Sequence, residues 1–180
     1  MDTELIVWSK TLLSSYRCFE PLCNALDKNV MEYSLKAGVS NNTYMLATTI
    51  IKIIGRKKFI INEKIFIDGI LYRLPSDAAR LLTVRYIDGV KTELCSKTLG
   101  ISQRTFFRHL TKSLDLFAQE ISRQGYTSSM LKKVFENESW VLDIFETYKS
   151  KNEDCDYLNL ALSSTKRKRV RLVEGFWQKK

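Results

Sequence analysis

The chain has 180 residues and a formal net charge of +9. This length suits one domain with appendages or two small helical domains. With only seven glycines and two prolines, a sandwich of many short strands and turns is disfavoured. Residues 1–75 and 76–125 each carry a net charge of +3, residues 126–165 carry −3, and residues 166–180 carry +6. This distribution fits a polyanionic partner, and for the basic end an acidic membrane surface fits equally well.

Cysteine and histidine usage argues against a metal site. The four cysteines and the single histidine, His109, show none of the ligand spacings of a zinc centre, so we expect no metal or other cofactor. The segment Met1–Glu4 lacks the positive charge that begins a signal peptide. The longest nearly uncharged apolar run, residues 44–54, is too short to span a bilayer. We therefore expect a cytoplasmic protein with reduced thiols and no membrane partner.

The N-terminal third is expected to be helical. Apolar residues recur at helical spacing through Leu5–Phe19 and predict a first helix. Pro21 is suited to the first position of a second helix. Gly38 followed by Ser40–Asn42 predicts the end of that helix and the N-cap of the next.

Residues 59–74 allow two interpretations. The preceding segment Thr43–Ile54 predicts an apolar helix that ends at Gly55. Asp68-Gly69, set between two apolar triplets, is typical of a hairpin turn, but the same stretch also fits a helix from Asn62 to Leu74. We favour the helix because an isolated hairpin without a third strand is marginally stable. Residues 1–73 are thus predicted to form a helical N-terminal bundle.

Stronger signals begin at residue 75. Ser76-Asp77 predicts an N-cap pair, and Asp88-Gly89 predicts the end of the helix that follows. A second helix is expected over Thr92–Leu99, with Gly100 turning the chain. A third, over Ser102–Gly125, is capped by its first residue.

The remaining residues are predicted to form one more helix and a tail. Thr127-Ser128 marks the start of a single helix that continues to residue 150. A polar linker and a basic tail follow in 151–180. The sequence predicts an all-α fold: a helical N-terminal bundle, a helix-turn-helix, a C-terminal helix and a basic tail, with boundaries 1–73, 74–125, 126–150 and 151–180.

The segment around Gly100 meets the mechanical requirements of a helix-turn-helix. Its two helices must cross steeply so that the second can enter the major groove. Gly100 supplies a residue that tolerates a left-handed turn, and Ser96 is small enough for the helices to approach closely. Phe106 and Leu110 are expected to hold the second helix to the core.

The outer face of this second helix has the chemistry of a DNA reader. Gln103 and the two arginines Arg104 and Arg108 are residue types that pair with adenine or guanine edges, and Phe107 could contact a thymine methyl group. Hydroxyl and lysine side chains suit phosphates, as does the charge of the tail. The candidate DNA-binding residues are Lys91, Thr92, Lys97, Ser102, Gln103, Arg104, Thr105, Phe107, Arg108, Lys112, Lys166, Arg167, Lys168 and Arg169.

The same residues carry a family resemblance. Ser96, Leu99-Gly100-Ile101-Ser102, Thr105-Phe106 and Arg108–Leu110 resemble region 4 of the sigma-70 family of RNA polymerase subunits and phage late-gene activators of the ArpU type. The resemblance covers residues 74–122. It implies a transcription regulator that binds double-stranded DNA, with RNA polymerase as a second candidate partner. A stand-alone regulator is favoured over a complete sigma factor because the residues before 74 show no aromatic-rich promoter-melting segment.

Two other functional classes stay open. A protein–protein interaction module could use the helix-turn-helix as a scaffold, and this is the main alternative. An enzyme acting on nucleic acid is disfavoured. Solvated helix charges explain the acidic cluster of Glu136, Glu138, Asp143 and Glu146 better than metal ligation does. His109 has no residue spaced to orient it for catalysis and is expected to be partly buried or to contact phosphate. The oligomeric state is left open.

Overall fold

The computed structural model describes residues 3–37 and 43–150. These residues contain helices and turns but no strand, so the fold is all-α, as the sequence predicts. The candidate DNA-binding residues Lys166–Arg169 and the predicted helix boundary at Gly38–Asn42 lie outside the described residues. The helices are α1 (Thr3–Ala37), α2 (Thr43–Arg73), α3 (Ser76–Leu82), α4 (Thr92–Leu99), α5 (Gln103–Arg123), α6 (Ser128–Val134) and α7 (Ser139–Ser150).

Two long helices, α1 and α2, correct the shorter ones predicted before residue 74. Pro21 lies inside α1 and does not begin a new helix. Proline removes one backbone hydrogen bond, but Phe19, Leu22 and Leu26 keep burying apolar area on both sides of it. Gly55 likewise lies inside α2 and does not end it, at a propensity cost of about 1 kcal/mol. The helical interpretation of residues 59–74 is confirmed as far as Arg73.

The described residues divide into two compact units. One is Tyr16–Asp68, which we call the helix-pair unit because it contains the C-terminal part of α1 and most of α2. The other contains residues 3–15 and 69–150, and we call it the main unit. The beginning of α1 therefore belongs with helices far along the chain, an association that local sequence patterns do not predict.

Two polar contacts set the register of the helix-pair unit. The Tyr16 hydroxyl donates to a carboxylate oxygen of Asp68 at 2.8 Å, and the Lys57 ammonium lies 2.6 Å from Asp27. Asp27 follows Tyr16 by eleven residues, and Lys57 precedes Asp68 by the same number. Eleven residues forward along α1 thus correspond to eleven residues backward along α2, so the two helices run antiparallel here.

One face of α2 forms part of the buried interior of this unit. Ile53, Ile60 and Ile67 recur every seven residues and are buried, as expected for one face of a helix. Glu63 is half-buried on the same helix. Desolvation by burial raises the pKa of the Glu63 carboxyl to about 7, because burial disfavours its charged form.

The main unit has an aromatic core around Trp8. This indole is fully buried and stacks on Phe145 at a centroid distance of 4.5 Å and on Phe135 at 5.8 Å. The buried hydroxyl groups of Ser14 on α1 and Tyr148 on α7 lie 2.7 Å apart. Stacked rings contribute beyond the apolar area they bury, so these contacts fix α1 against the C-terminal helices.

The predicted single helix over residues 126–150 is two helices, α6 and α7. The predicted start is confirmed, since the Thr127 hydroxyl accepts the Met130 N–H and caps α6. The break follows Val134, and Glu138 then lies buried just before α7. Its carboxylate accepts the indole N–H of Trp140 at 2.7 Å, so this acidic residue has a structural role.

A chain of polar contacts, buried at Trp8 and Ser128 and exposed at Lys149, also holds α1 to the C-terminal helices. The Trp8 indole N–H donates to the Ser128 hydroxyl at 3.1 Å, and that hydroxyl donates to the Glu4 carboxylate at 2.6 Å. The Lys149 ammonium donates to the same carboxylate at 2.7 Å. The hydrogen bonds from Lys149 and Ser128 lower the pKa of Glu4 from 4.5 to about 2.

Replacing Glu4 should make the protein less sensitive to acid. Because the folded-state pKa is depressed, the contribution of Glu4 to stability is present above about pH 4.5 and lost as the pH falls toward about 2. Glu4→Gln should therefore lower the unfolding free energy at pH 7, and the difference from the wild type should shrink below pH 4.5. Urea unfolding at several pH values measures this. Glu136→Gln, which removes the same charge at an exposed position, is the control.

Replacing Glu63 should have the opposite pH signature. Its raised pKa means that the folded state loses stability as the pH rises from about 4.5 to about 7. Glu63→Gln removes the ionisation and should stabilise the protein by about 1–3 kcal/mol at pH 8, with little effect at pH 4.5. Unfolding free energies at the two pH values test this, and an equal effect at both would contradict it.

Candidate nucleic-acid interface

The turn between α4 and α5 has the geometry that the sequence predicts. Gly100 adopts a left-handed backbone with φ 69°. Its N–H donates to the Lys97 carbonyl at 3.2 Å, and the Ile101 N–H donates to the Ser96 carbonyl at 3.0 Å. This pair of hydrogen bonds is the Schellman motif, which ends a helix sharply at a glycine. The predicted bounds Thr92–Leu99 are confirmed.

Ser102 caps α5, as predicted. Its hydroxyl oxygen accepts the Thr105 N–H at 3.1 Å, and its hydroxyl lies 2.9 Å from the Thr105 side-chain oxygen. The first-turn N–H groups of any α-helix lack an intrahelical acceptor. The backbone N–H groups of Gln103 and Arg104 follow this cap directly. A phosphate is favoured at such a position because it accepts from free N–H groups and because the helix dipole is positive there.

The inner face of α5 anchors it in the main unit. Phe106, Leu110 and Phe117 are buried, and α3 and α4 both pack against this helix. On α4, Cys95 and Ser96 are small and buried, which allows α4 and α5 to approach each other closely. The predicted anchoring residues are thus confirmed.

The loop before α4 is held by a contact that sequence reasoning missed. The Val90 carbonyl accepts the Cys95 thiol at 3.3 Å and an Arg85 guanidinium nitrogen at 3.5 Å. Arg85 is buried beside the Tyr86 ring, with 5.4 Å between guanidinium carbon and ring centroid. Nothing in local spacing distinguishes this arginine from an exposed one. Gly89, at φ 68°, makes the turn that the sequence predicts.

The start of α3 corrects one prediction. Ser76-Asp77 does not cap this helix, because Pro75 occupies the N-cap position with φ −52° and ψ 140° and both predicted residues lie inside. Proline lacks the N–H that a helix leaves unpaired at its start and has a suitable φ. The helix then widens into a π-helical turn over Thr83–Ile87 before Gly89.

The described candidate DNA-binding residues lie at the protein surface. Two of them, Thr92 and Thr105, are half-buried, and the others are exposed. Arg104, Arg108 and Lys112 follow one another every four residues and share one face of α5. The exposed residues are Lys91, Lys97, Ser102, Gln103, Arg104, Phe107, Arg108 and Lys112.

Charge on this surface is of one sign over a long stretch. Between Glu93 and Asp115 the sequence has no acidic residue, and Lys97 adds a cation on α4. His109, expected to be partly buried or to contact phosphate, is exposed. The face that results has fixed cations and hydrogen-bond donors around the α5 N-terminus, a combination that attracts phosphate.

Glu120 was not predicted, yet it secures the far end of α5. Its carboxylate lies 2.8 Å from Arg123 and 3.2 Å from Arg73, at the end of α2. The hydrogen bonds from Arg123 and Arg73 lower the pKa of this nearly buried carboxyl. The three-residue spacing to Arg123 was a signal available in the sequence, whereas the partner at residue 73 was not.

Comparison with protein-family models, curated proteins and solved structures found no match to this chain. Within residues 3–37 and 43–150, no helix is long and apolar enough to cross a membrane. The same residues contain no group of three or more His, Cys, Asp or Glu side chains able to hold a metal ion.

Two glycine substitutions should change stability in opposite directions. An added Cβ meets no atom within 4 Å at either Gly100 or Gly55, so only the backbone decides. Gly100→Ala forces alanine into a left-handed conformation and should destabilise by about 1–2 kcal/mol. Gly55→Ala, inside a helix, should stabilise by about 0.5–1 kcal/mol. Urea unfolding of both variants measures this, and destabilisation of equal size would contradict it.

Proposed function

We propose that this protein is a sequence-specific regulator of transcription that binds double-stranded DNA through α5. The observation that carries the proposal is the exposed row Arg104, Arg108 and Lys112 on a helix that a Schellman turn and a capping serine set off from α4. A helix with buried apolar anchors on one face and donors on the other can lie in the major groove while its fold stays intact.

Each exposed side chain has a role in this proposal. Gln103 and the arginines are suited to base edges, because amide and guanidinium groups can form paired hydrogen bonds with adenine or guanine. Lys97 and Lys112, with the α5 N-terminus, are suited to phosphates and fix the register. RNA polymerase is a further proposed partner, and this part rests on the sigma-like sequence resemblance alone.

A titration against duplex DNA tests the proposal. The intact protein should bind random-sequence duplex at low salt and lose affinity steeply as salt rises, because phosphate contacts release counterions. Arg104→Ala/Arg108→Ala should lower the affinity by about tenfold or more. Fluorescence anisotropy at two salt concentrations measures both.

A matched variant separates the role of α5 from a general charge effect. Lys28→Ala/Lys52→Ala removes the same charge from exposed positions of the helix-pair unit and should bind almost as the wild type does. Equal losses in both double variants would contradict a specific role for α5. Equal affinity for all duplexes in a sequence-selection experiment would contradict sequence specificity.

A protein-interaction module is the second candidate, and exposed apolar side chains favour it. Leu94 on α4 is 48% exposed and Phe107 on α5 is 40% exposed. Large apolar side chains on a polar surface often mark contacts with other proteins. If the wild type binds no duplex at low salt, a pull-down tests this candidate. The wild type should then capture a protein partner that the control variant Leu94→Ser/Phe107→Ser does not capture.

A further inference from the structure

Helix α2 has apolar side chains on two different faces within the helix-pair unit. Ile53, Ile60 and Ile67 are buried, as described above. The other face exposes four isoleucines, which we call the isoleucine stripe. Their exposed fractions are 69% for Ile51, 51% for Ile54, 40% for Ile61 and 61% for Ile65. A row of exposed β-branched side chains on one helix is typical of a surface that another protein covers.

The stripe follows the spacing of a coiled-coil seam. Positions 51, 54, 58, 61, 65 and 68 are separated alternately by three and four residues, which are the a and d positions of a heptad. Two charged residues occupy seam positions, Lys58 at an a position and Asp68 at a d position, and both are exposed. From Ile51 to Asp68 the seam is about 26 Å long.

The two charges decide which partner and which orientation fit. In a parallel pair of identical helices each a position meets the same a position, so Lys58 would face the partner's Lys58 and Asp68 the partner's Asp68. In an antiparallel pair each a position meets a d position. A two-fold axis beside residue 63 then places Lys58 opposite the partner's Asp68 and Ile61 opposite the partner's Ile65.

We infer that the part of the isoleucine stripe between Lys58 and Asp68, with Ile61 and Ile65, pairs antiparallel with the same part of a second copy of this chain. A two-fold interface must be self-complementary, and residues 58–68 meet this condition because Lys58 lies opposite the partner's Asp68 and Ile61 lies opposite the partner's Ile65. The Tyr16 hydroxyl donates to Asp68 at 2.8 Å and holds this carboxylate at the seam. The inference goes beyond the proposed function and does not depend on DNA binding.

Sedimentation velocity of the full chain without DNA tests the inference. The wild type should sediment as a dimer at micromolar concentrations and dissociate on dilution. Ile61→Glu/Ile65→Glu should be monomeric, with dimerisation weakened by at least about a hundredfold, and circular dichroism should show unchanged helicity. Met31→Glu/Leu35→Glu, at exposed apolar positions of α1, is the control and should still dimerise.

A charge exchange tests the orientation. Lys58→Asp alone and Asp68→Lys alone should each weaken dimerisation by about tenfold, because two symmetry-related attractions become repulsions. Lys58→Asp/Asp68→Lys should restore it. Tyr16→Phe removes the hydroxyl bonded to Asp68 and shows how much of the Asp68→Lys effect comes from that lost bond.

Three outcomes would overturn the inference. A wild type that stays monomeric up to about a hundred micromolar shows that a second copy is not the occupant, because a dimer is expected at micromolar concentrations. Equal dimer loss in Met31→Glu/Leu35→Glu, or a dimer that survives Ile61→Glu/Ile65→Glu, contradicts the stripe as the interface. Failure of the double exchange to restore dimerisation contradicts the antiparallel pairing.

Discussion

The burial of one face of α5 is the constraint on which the main unit depends. Phe106, Leu110 and Phe117 place the inner face in the core, and α3 and α4 both pack against this helix. A helix fixed in this way has little freedom to rotate about its axis, because rotation would expose apolar area at about 25 cal/mol per Å². The side chains on its opposite face are therefore presented to solvent in a defined arrangement.

Polar contacts add precision at the ends of this core. The Val90 carbonyl is held by Arg85 and Cys95, which fixes the entry to α4. Glu120 joins α5 to Arg73 at the other end, and Glu4 ties α1 to Lys149. Buried polar groups such as Arg85 and Glu120 need partners to be tolerated, so their contacts favour one arrangement of the helices over its alternatives.

The helix-pair unit follows a different principle. Its second helix is apolar on two sides, and only the side of Ile53, Ile60 and Ile67 is buried within the unit. The exposed isoleucine stripe on the other side is costly in water, which is why a surface that covers it would stabilise the protein. A dimer would carry two copies of α5, a number that matches the paired half-sites of many helix-turn-helix proteins.

The sequence by itself determined the all-α class and the local geometry of the α4–α5 turn. Gly100 and Ser102 act through their own backbone and side chain, so a left-handed glycine and an N-cap are readable without any tertiary information. Tertiary structure decided what depended on distant partners: the continuity of α1 through Pro21, the burial of Arg85 and the association of Glu4 with Lys149. Local propensities are small beside the burial of apolar area, which joins residues more than a hundred positions apart, such as Trp8 and Phe145. Which apolar face of α2 is buried was therefore a property of the whole fold.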